Sequence, residues 1–118
     1  SRNIHADISV ENISFDIDSA ITMGLIINEL ASNAYKHAFR GRRAGKISVA
    51  ISRHESRYVL IVKDDGVGIP VDLAQKKSDS LGLQLVETLI DQLHGKLEIK
   101  SDRGTEVRIE FGDEGVSV

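Results

Sequence analysis

With 118 residues, a formal charge of −3 and no cysteine, the chain is read as one domain able to bury roughly two thirds of its unfolded-chain surface. It excludes a disulfide framework or thiolate metal site and offers no overall basic field to nucleic acid. No apolar run approaches the roughly 20 residues of a membrane span and no basic-then-apolar leader opens the chain, so a soluble piece without membrane contact is expected; a start at Ser1 points to a piece of a larger parent, which could itself be membrane-anchored.

In chain order, Ile4 to Ile8 and Ile13 to Phe15 are short β-favouring stretches split by Glu11 and Asn12, and predict a pair of edge strands. Asp16 or Asp18 is placed to cap a helix running to about Arg40. At about 100° per residue, Met23, Ile27, Leu30, Ala31, Ala34 and Ala38 form its apolar stripe, with Thr22, Glu29, Asn33, Lys36, His37 and Arg40 gathered opposite. Gly41 and Gly45, flanking basic residues, end it.

Lys46 to Arg53 alternates Ile47, Val49 and Ile51 with small or polar residues, the period of a strand with one buried face. The denser apolar run Arg57 to Asp64 suits a central strand, joined to the first by a hairpin at His54 to Ser56. Asp64 to Pro70, DDGVGIP, is a sharp exit from the sheet, and Ala74 to Asp79 reads as a polar, mobile loop. Leu81 to His94 returns to helical spacing through Leu81, Leu85, Thr88, Leu89 and Gln92, with Val86, Ile90 and Leu93 on a neighbouring stripe, and Gly95 is read as the stop. Lys96 to Lys100 and Glu106 to Phe111 are strands joined by a turn at Ser101 to Thr105, and Gly112 to Val118 reads as a frayed tail. The order implies an α+β fold, a mixed sheet covered on one face by helices.

Three segments besides the first helix carry chemistry. In DDGVGIP, glycines allow backbone to approach a flat ligand, and a carboxylate at a strand end suits an exocyclic amine such as that of adenine. Ser80 to Leu85, SLGLQL, opens a helix whose free N–H groups form an anion site. Arg103 to Glu106 brings a hydroxyl into the last strand. Taken singly, each is an ordinary turn or helix start. GxxxxGK[ST] and GxGxxG are both missing, no GxSxG is present, and His5, His37, His54 and His94 lack the close spacing of a zinc site.

Taken together and in order, the segments resemble a known family. NELASNAYKHAF looks like the N box of the histidine-kinase ATPase domain, DDGVGIP like its G1 box, SLGLQLV like its G2 box and GTEVRIEF like its closing strand. The resemblance, from about Asp18 to Phe111, implies a Bergerat-type two-layer α/β sandwich with a mixed, mostly antiparallel sheet, binding ATP and Mg2+. It implies Asn33 as the magnesium ligand, Glu29 as the acid near the metal, and Lys36 and His37 toward the phosphates. Asp64 would accept from the adenine amine, with Gly66, Gly68 and Ile69 in the pocket beside it. Gly82 and Leu83 would begin the helix at the phosphates, and Thr105 would sit near the adenine. Ser80 departs from the family's usual glycine, and the short lid between Pro70 and Ser80 resembles the sensor-kinase subfamily whose N box reads NELxxNAxKHAF. The absence of Trp excludes the Trp-x-Glu subfamily.

The function so implied is the catalytic domain, residues 1–118, of a two-component sensor histidine kinase. It would pass the γ-phosphoryl to a histidine on a separate helical dimerisation domain and so serve a downstream response regulator. Two alternatives share the site: a stand-alone serine protein kinase resembling anti-sigma factors, and an ATP-gated binding module without transfer.

Overall fold

The computed structural model describes residues 3–11, 13–15, 17–38, 41, 44–66, 81–101 and 103–112. Its frame is a sheet of five strands, β1 (Asn3–Val10), β2 (Ala44–His54), β3 (Arg57–Asp64), β4 (Lys96–Ser101) and β5 (Thr105–Gly112), in the order β1-β2-β3-β5-β4. β1 runs parallel to β2 and every other pairing is antiparallel, giving the mixed sheet expected. β3 is central, as its dense apolar run predicts. Ile13 to Phe15, expected as a second edge strand, forms none: these residues connect β1 to the first helix, and the Phe15 ring packs on Tyr58 at 5.0 Å. Tyr58 in turn stacks on Phe111 at 5.3 Å, so three aromatic rings tie the connection to β3 and β5.

The pleat sorts the sheet into two faces. Ile47, Val49 and Ile51 of β2, Tyr58, Leu60 and Val62 of β3, and Val107, Ile109 and Phe111 of β5 are buried on the same side, with Leu97 and Ile99 of β4 packed against them. Helices α1 (Ile17–Asn33) and α2 (Leu81–Gln92) pack against each other on that side and complete the core.

Both helices bury a face rotated from the one periodicity suggests. In α1 the buried residues are Ser19, Met23, Ile26 and Leu30; Ile26 is fully enclosed, whereas Ile27 and Ala31 are half-buried. In α2 they are Val86, Leu89 and Ile90, continued by Leu93, while Leu85, Thr88 and Gln92 are exposed. The face expected opposite the α1 core is a flank beside it, with Thr22, Glu29 and Asn33 half-buried. The helical stretch runs on from α1 as a π-helical turn, Ala34–Ala38, whose i→i+5 bonding turns fewer degrees per residue and breaks the alignment of Lys36 with Asn33; Phe39 and Arg40 lie outside the described residues.

The chain reverses after α2 through His94, at φ 54°, with Gly95 N–H donating to the Ile90 carbonyl at 2.9 Å. The left-handed residue is therefore His94. Gly95 is required for another reason: a Cβ there would stand 2.8 Å from the Glu110 carbonyl oxygen. At the opposite sheet edge, the Lys46 ammonium meets the Asp7 carboxylate at 2.8 Å. Their hydrogen bond and opposite charge lower the Asp7 pKa and raise that of Lys46. The pair thus persists across neutral pH, lost in acid as Asp7 protonates below its ordinary value and in base as Lys46 deprotonates above its own. Gly112 belongs to β5, whereas Ala74 to Asp79 and residues 113–118 lie outside the described residues.

The rotated phase of α1 is testable by urea denaturation. Ile26→Ala removes a fully enclosed side chain and is expected to cost about 2–5 kcal/mol, with half-buried Ile27→Ala costing less than about half of that. Equal losses would contradict the packing described.

Candidate nucleotide site at the β3–β5 end

Asp64 ends β3 and Thr105 opens β5, and the register places them directly opposite each other, with Ile47 of β2 on the other side of Asp64. By the two-residue pleat, Asp64 follows Tyr58, Leu60 and Val62, and Thr105 precedes Val107, Ile109 and Phe111. Both side chains therefore point to the helix-covered face, where an apolar residue is the default. Each is only 6% exposed.

Burying a carboxylate is costly unless donors replace its water. Asp64 Oδ1 accepts from the N–H of Gly66 at 2.9 Å and of Thr105 at 3.3 Å. These bonds tie Gly66 and the start of β5 to the end of β3 and fix the carboxylate in place. The Thr105 hydroxyl differs: its Oγ1 is buried and has no hydrogen-bond partner among the described residues. An orphaned buried hydroxyl beside a fixed carboxylate, on an apolar floor, suits a flat heterocycle offering an amine and a ring nitrogen. A second unpartnered buried oxygen, Oε1 of half-buried Glu87, lies on α2, and sequence reasoning did not single it out.

Two further residues escape that reasoning. Gly104, read as part of a turn and as the first residue of GTEVRIEF but given no role of its own, stands at φ 129°, and an added Cβ would fall on the Asp64 carbonyl oxygen. It is what lets β5 enter so close to the end of β3. Asp65 extends the ladder past β3: its N–H donates to the Lys46 carbonyl at 3.2 Å and its Oδ1 accepts from the Lys46 N–H at 2.8 Å. The repeated Asp-Asp was the available signal, with the first carboxylate turned inward and the second tied to β2.

The structure thus joins Asp64, Gly66 and Thr105 by hydrogen bonds. Glu29 and Asn33 lie one turn apart on the half-buried flank of α1, and Lys36 is exposed on the π-helical turn that also carries the His37 backbone. Gly82 and Leu83 occupy the first turn of α2, where N–H groups have no intrahelical partner and can meet an anion. Gly68 and Ile69 lie outside the described residues. Among the described residues no cluster of three or more His, Cys, Asp or Glu forms a metal cage, and an Mg2+ ion needs none: it takes few protein oxygens and keeps waters and phosphate oxygens. The half-buried Asn33 amide fits that chemistry.

Residues 18–115 match the family described as Histidine kinase-, DNA gyrase B-, and HSP90-like ATPase. The chain is similar to the sensor histidine kinase PdtaS of Mycobacterium tuberculosis, 39% identical over 106 residues that make up 85% of this chain and 21% of PdtaS. It spans about a fifth of that relative's length. The histidine kinase domain of the Erythrobacter litoralis EL346 blue-light activated histidine kinase superposes with a TM-score of 0.85 at 28% identity, covering 92% of this chain and 51% of that one. The serine-protein kinase RsbW of Bacillus licheniformis is 25% identical over 73% of this chain and 62% of its own length.

The close approach at Gly104 has a measurable cost. Gly41→Ala, at φ 74° with open space around it, is expected to lose about 1–2 kcal/mol for its backbone conformation alone. Gly104→Ala adds a collision with Asp64 and is expected to lose roughly twice that or more in urea denaturation. Equal losses would remove the close-approach argument.

Proposed function

Because the chain belongs to the Histidine kinase-, DNA gyrase B-, and HSP90-like ATPase family, we propose that it binds Mg-ATP and presents the γ-phosphoryl to a histidine on a separate helical dimerisation domain. In this reading it is the cytoplasmic catalytic domain of a two-component sensor kinase, acting upstream of a response regulator. The observation that carries the proposal is the buried pair at the strand ends, the Asp64 carboxylate and the unpartnered Thr105 hydroxyl. Asp64 accepts from the adenine amine, and Thr105 supplies its hydroxyl toward the ring.

Gly66, Gly68 and Ile69 border the base. Gly82 and Leu83, opening α2, turn backbone N–H groups to the phosphates, and Lys36 and His37 add positive or hydrogen-bonding groups there. Asn33 holds the magnesium ion through its amide oxygen while Glu29 orders the surrounding waters; the ion, when bound, neutralises phosphate charge for in-line transfer. Placement and charge neutralisation are the chain's whole contribution. The acceptor is not expected among its own histidines. His54 ends β2 and His94 follows α2, both exposed; His5 lies in the edge strand β1, and His37 on the ATP-site helix.

The likeness to RsbW favours a second reading, in which the same site serves a serine on a partner protein. The binding-module alternative needs no acceptor. Incubation with γ-labelled ATP separates all three. The chain alone is expected to take up little label, and a separately supplied phosphoacceptor domain to take up acid-labile label that is lost on chelating magnesium or in Asn33→Ala. Acid-stable label on a partner would favour the serine kinase, no transfer the binding module, and strong labelling of the chain itself would overturn the proposal.

A further inference from the structure

The two edges of the sheet are guarded differently. β4 carries Lys96, Glu98 and Lys100 exposed along its outer face, the alternating charge that blunts an edge against pairing. β1 is the longer edge, eight residues, with Ile8 68% and Val10 52% exposed and no lysine or arginine within it. Its one carboxylate, Asp7, is held by Lys46. Among the described residues nothing pairs with its outer side.

The hydrogen-bonding phase of that edge is fixed. Glu11 N–H donates to the Ile51 carbonyl at 3.3 Å, extending the β1–β2 ladder by one residue. A strand residue points its N–H and C=O to one side, and successive residues alternate sides. Odd-numbered residues of β1 therefore face β2, while Ile4, Ala6, Ile8 and Val10 turn their main-chain groups outward.

We propose that this edge is a homodimer surface, on which β1 of a second copy pairs antiparallel about a two-fold axis through Ala6. Register selects that centre. Ala6 then meets Ala6 of the second copy, and Ile4 meets Ile8 in both directions, as hydrogen-bonded pairs made by outward-facing groups. Between them His5 lies opposite Asp7 and Asn3 opposite Ser9, in the non-hydrogen-bonded positions where side chains stand closest. A two-fold at Asp7 would set carboxylate against carboxylate, and one at His5 would set imidazole against imidazole and lose the Ile4–Ile8 pairs. A register shifted by one residue would turn inward-facing groups to the partner and make no ladder. Every two-fold centred on a residue satisfies the main-chain phase; of these, the centres at Ala6 and Asp7 pair the most of β1, seven residues, and only the first sets Ile4 against Ile8 without opposing two carboxylates. On the outer face the second copy's His5 would join a row that already contains Asp7 and Lys46.

The test uses the absence of native cysteine. In the proposed register two Ala6→Cys positions stand about 5.5 Å apart between Cα atoms, within disulfide reach, whereas two Ser9→Cys positions are separated by about 20 Å along the strands. Sedimentation equilibrium over a concentration series is expected to show a reversible monomer–dimer equilibrium. Mild oxidation is expected to trap the Ala6→Cys dimer and leave Ser9→Cys monomeric. Ala6→Pro removes only an outward N–H, and Ile8→Lys installs a guarding charge; each is expected to abolish the dimer while circular dichroism stays native, and Ile8→Lys serves alone if the proline variant does not fold. A chain monomeric throughout the series, a dimer that survives in a folded Ile8→Lys variant, or cross-linking through position 9 as readily as through position 6 would overturn the proposal.

Discussion

Two backbone N–H groups bound to one buried carboxylate organise the end of this molecule. Asp64 could not stand on the apolar face of the sheet without them, and Thr105 reaches it only because Gly104 lets β5 come in against the Asp64 backbone. The consequence is a polar pair held rigidly inside an otherwise hydrocarbon floor. One member is satisfied in part by the fold itself, and the other, the Thr105 hydroxyl, has no partner among the described residues. A fold that keeps such a group loses stability, by about 1–3 kcal/mol for an orphaned hydroxyl, and a ligand that satisfies it recovers that loss on binding. This is the physical basis for reading the strand end as a recognition site.

The remainder of the structure supports that end. The aromatic stack of Phe15, Tyr58 and Phe111 anchors the other end of β3 and β5, so the two strands meet in one register along their length. Asp65 locks the loop to β2 through Lys46, and Lys46 in turn holds Asp7 of β1. Asp65 and Gly66, which follow β3, are thus tied to β2 and to the end of β3 by hydrogen bonds, as a preorganised recognition site requires. Helix α1 brings Glu29 and Asn33 to a half-buried flank, a setting in which polar groups are accessible to a ligand yet partly shielded from bulk water.

Strands with one clearly buried face were legible in the sequence. β2 and β5 alternate apolar and polar residues strongly enough to fix their inner faces and, within two residues, their limits, and the dense apolar run of β3 marks it as central. The first helix was legible as an element but not in phase, because Ile17, Ile21, Leu25, Ile26 and Ile27 place apolar groups around much of its circumference. Polarity alone cannot choose among them, and packing against the sheet and α2 selects Ile26. β1 was hard to delimit because an edge strand buries almost nothing. The π-helical turn has no breaker to announce it. Asp64 stood out as a carboxylate closing an apolar strand beside two glycines. Gly104 did not, since the collision that demands glycine comes from a residue forty positions earlier. The four boxes in order named the family, which no single box could do.

Recognition at this strand end rests on Asp64 acting as an acceptor toward an amine, and nucleotide choice tests this most directly. Inosine triphosphate replaces the adenine amine with a carbonyl oxygen, setting two acceptors face to face. In titration calorimetry with magnesium, the chain is predicted to bind ATP at least about tenfold more tightly than inosine triphosphate. Asp64→Asn, which keeps an oxygen for Gly66 and Thr105 but adds a donor, is predicted to narrow or reverse that preference. Equal affinity for the two nucleotides, or a preference unchanged in Asp64→Asn, would contradict it.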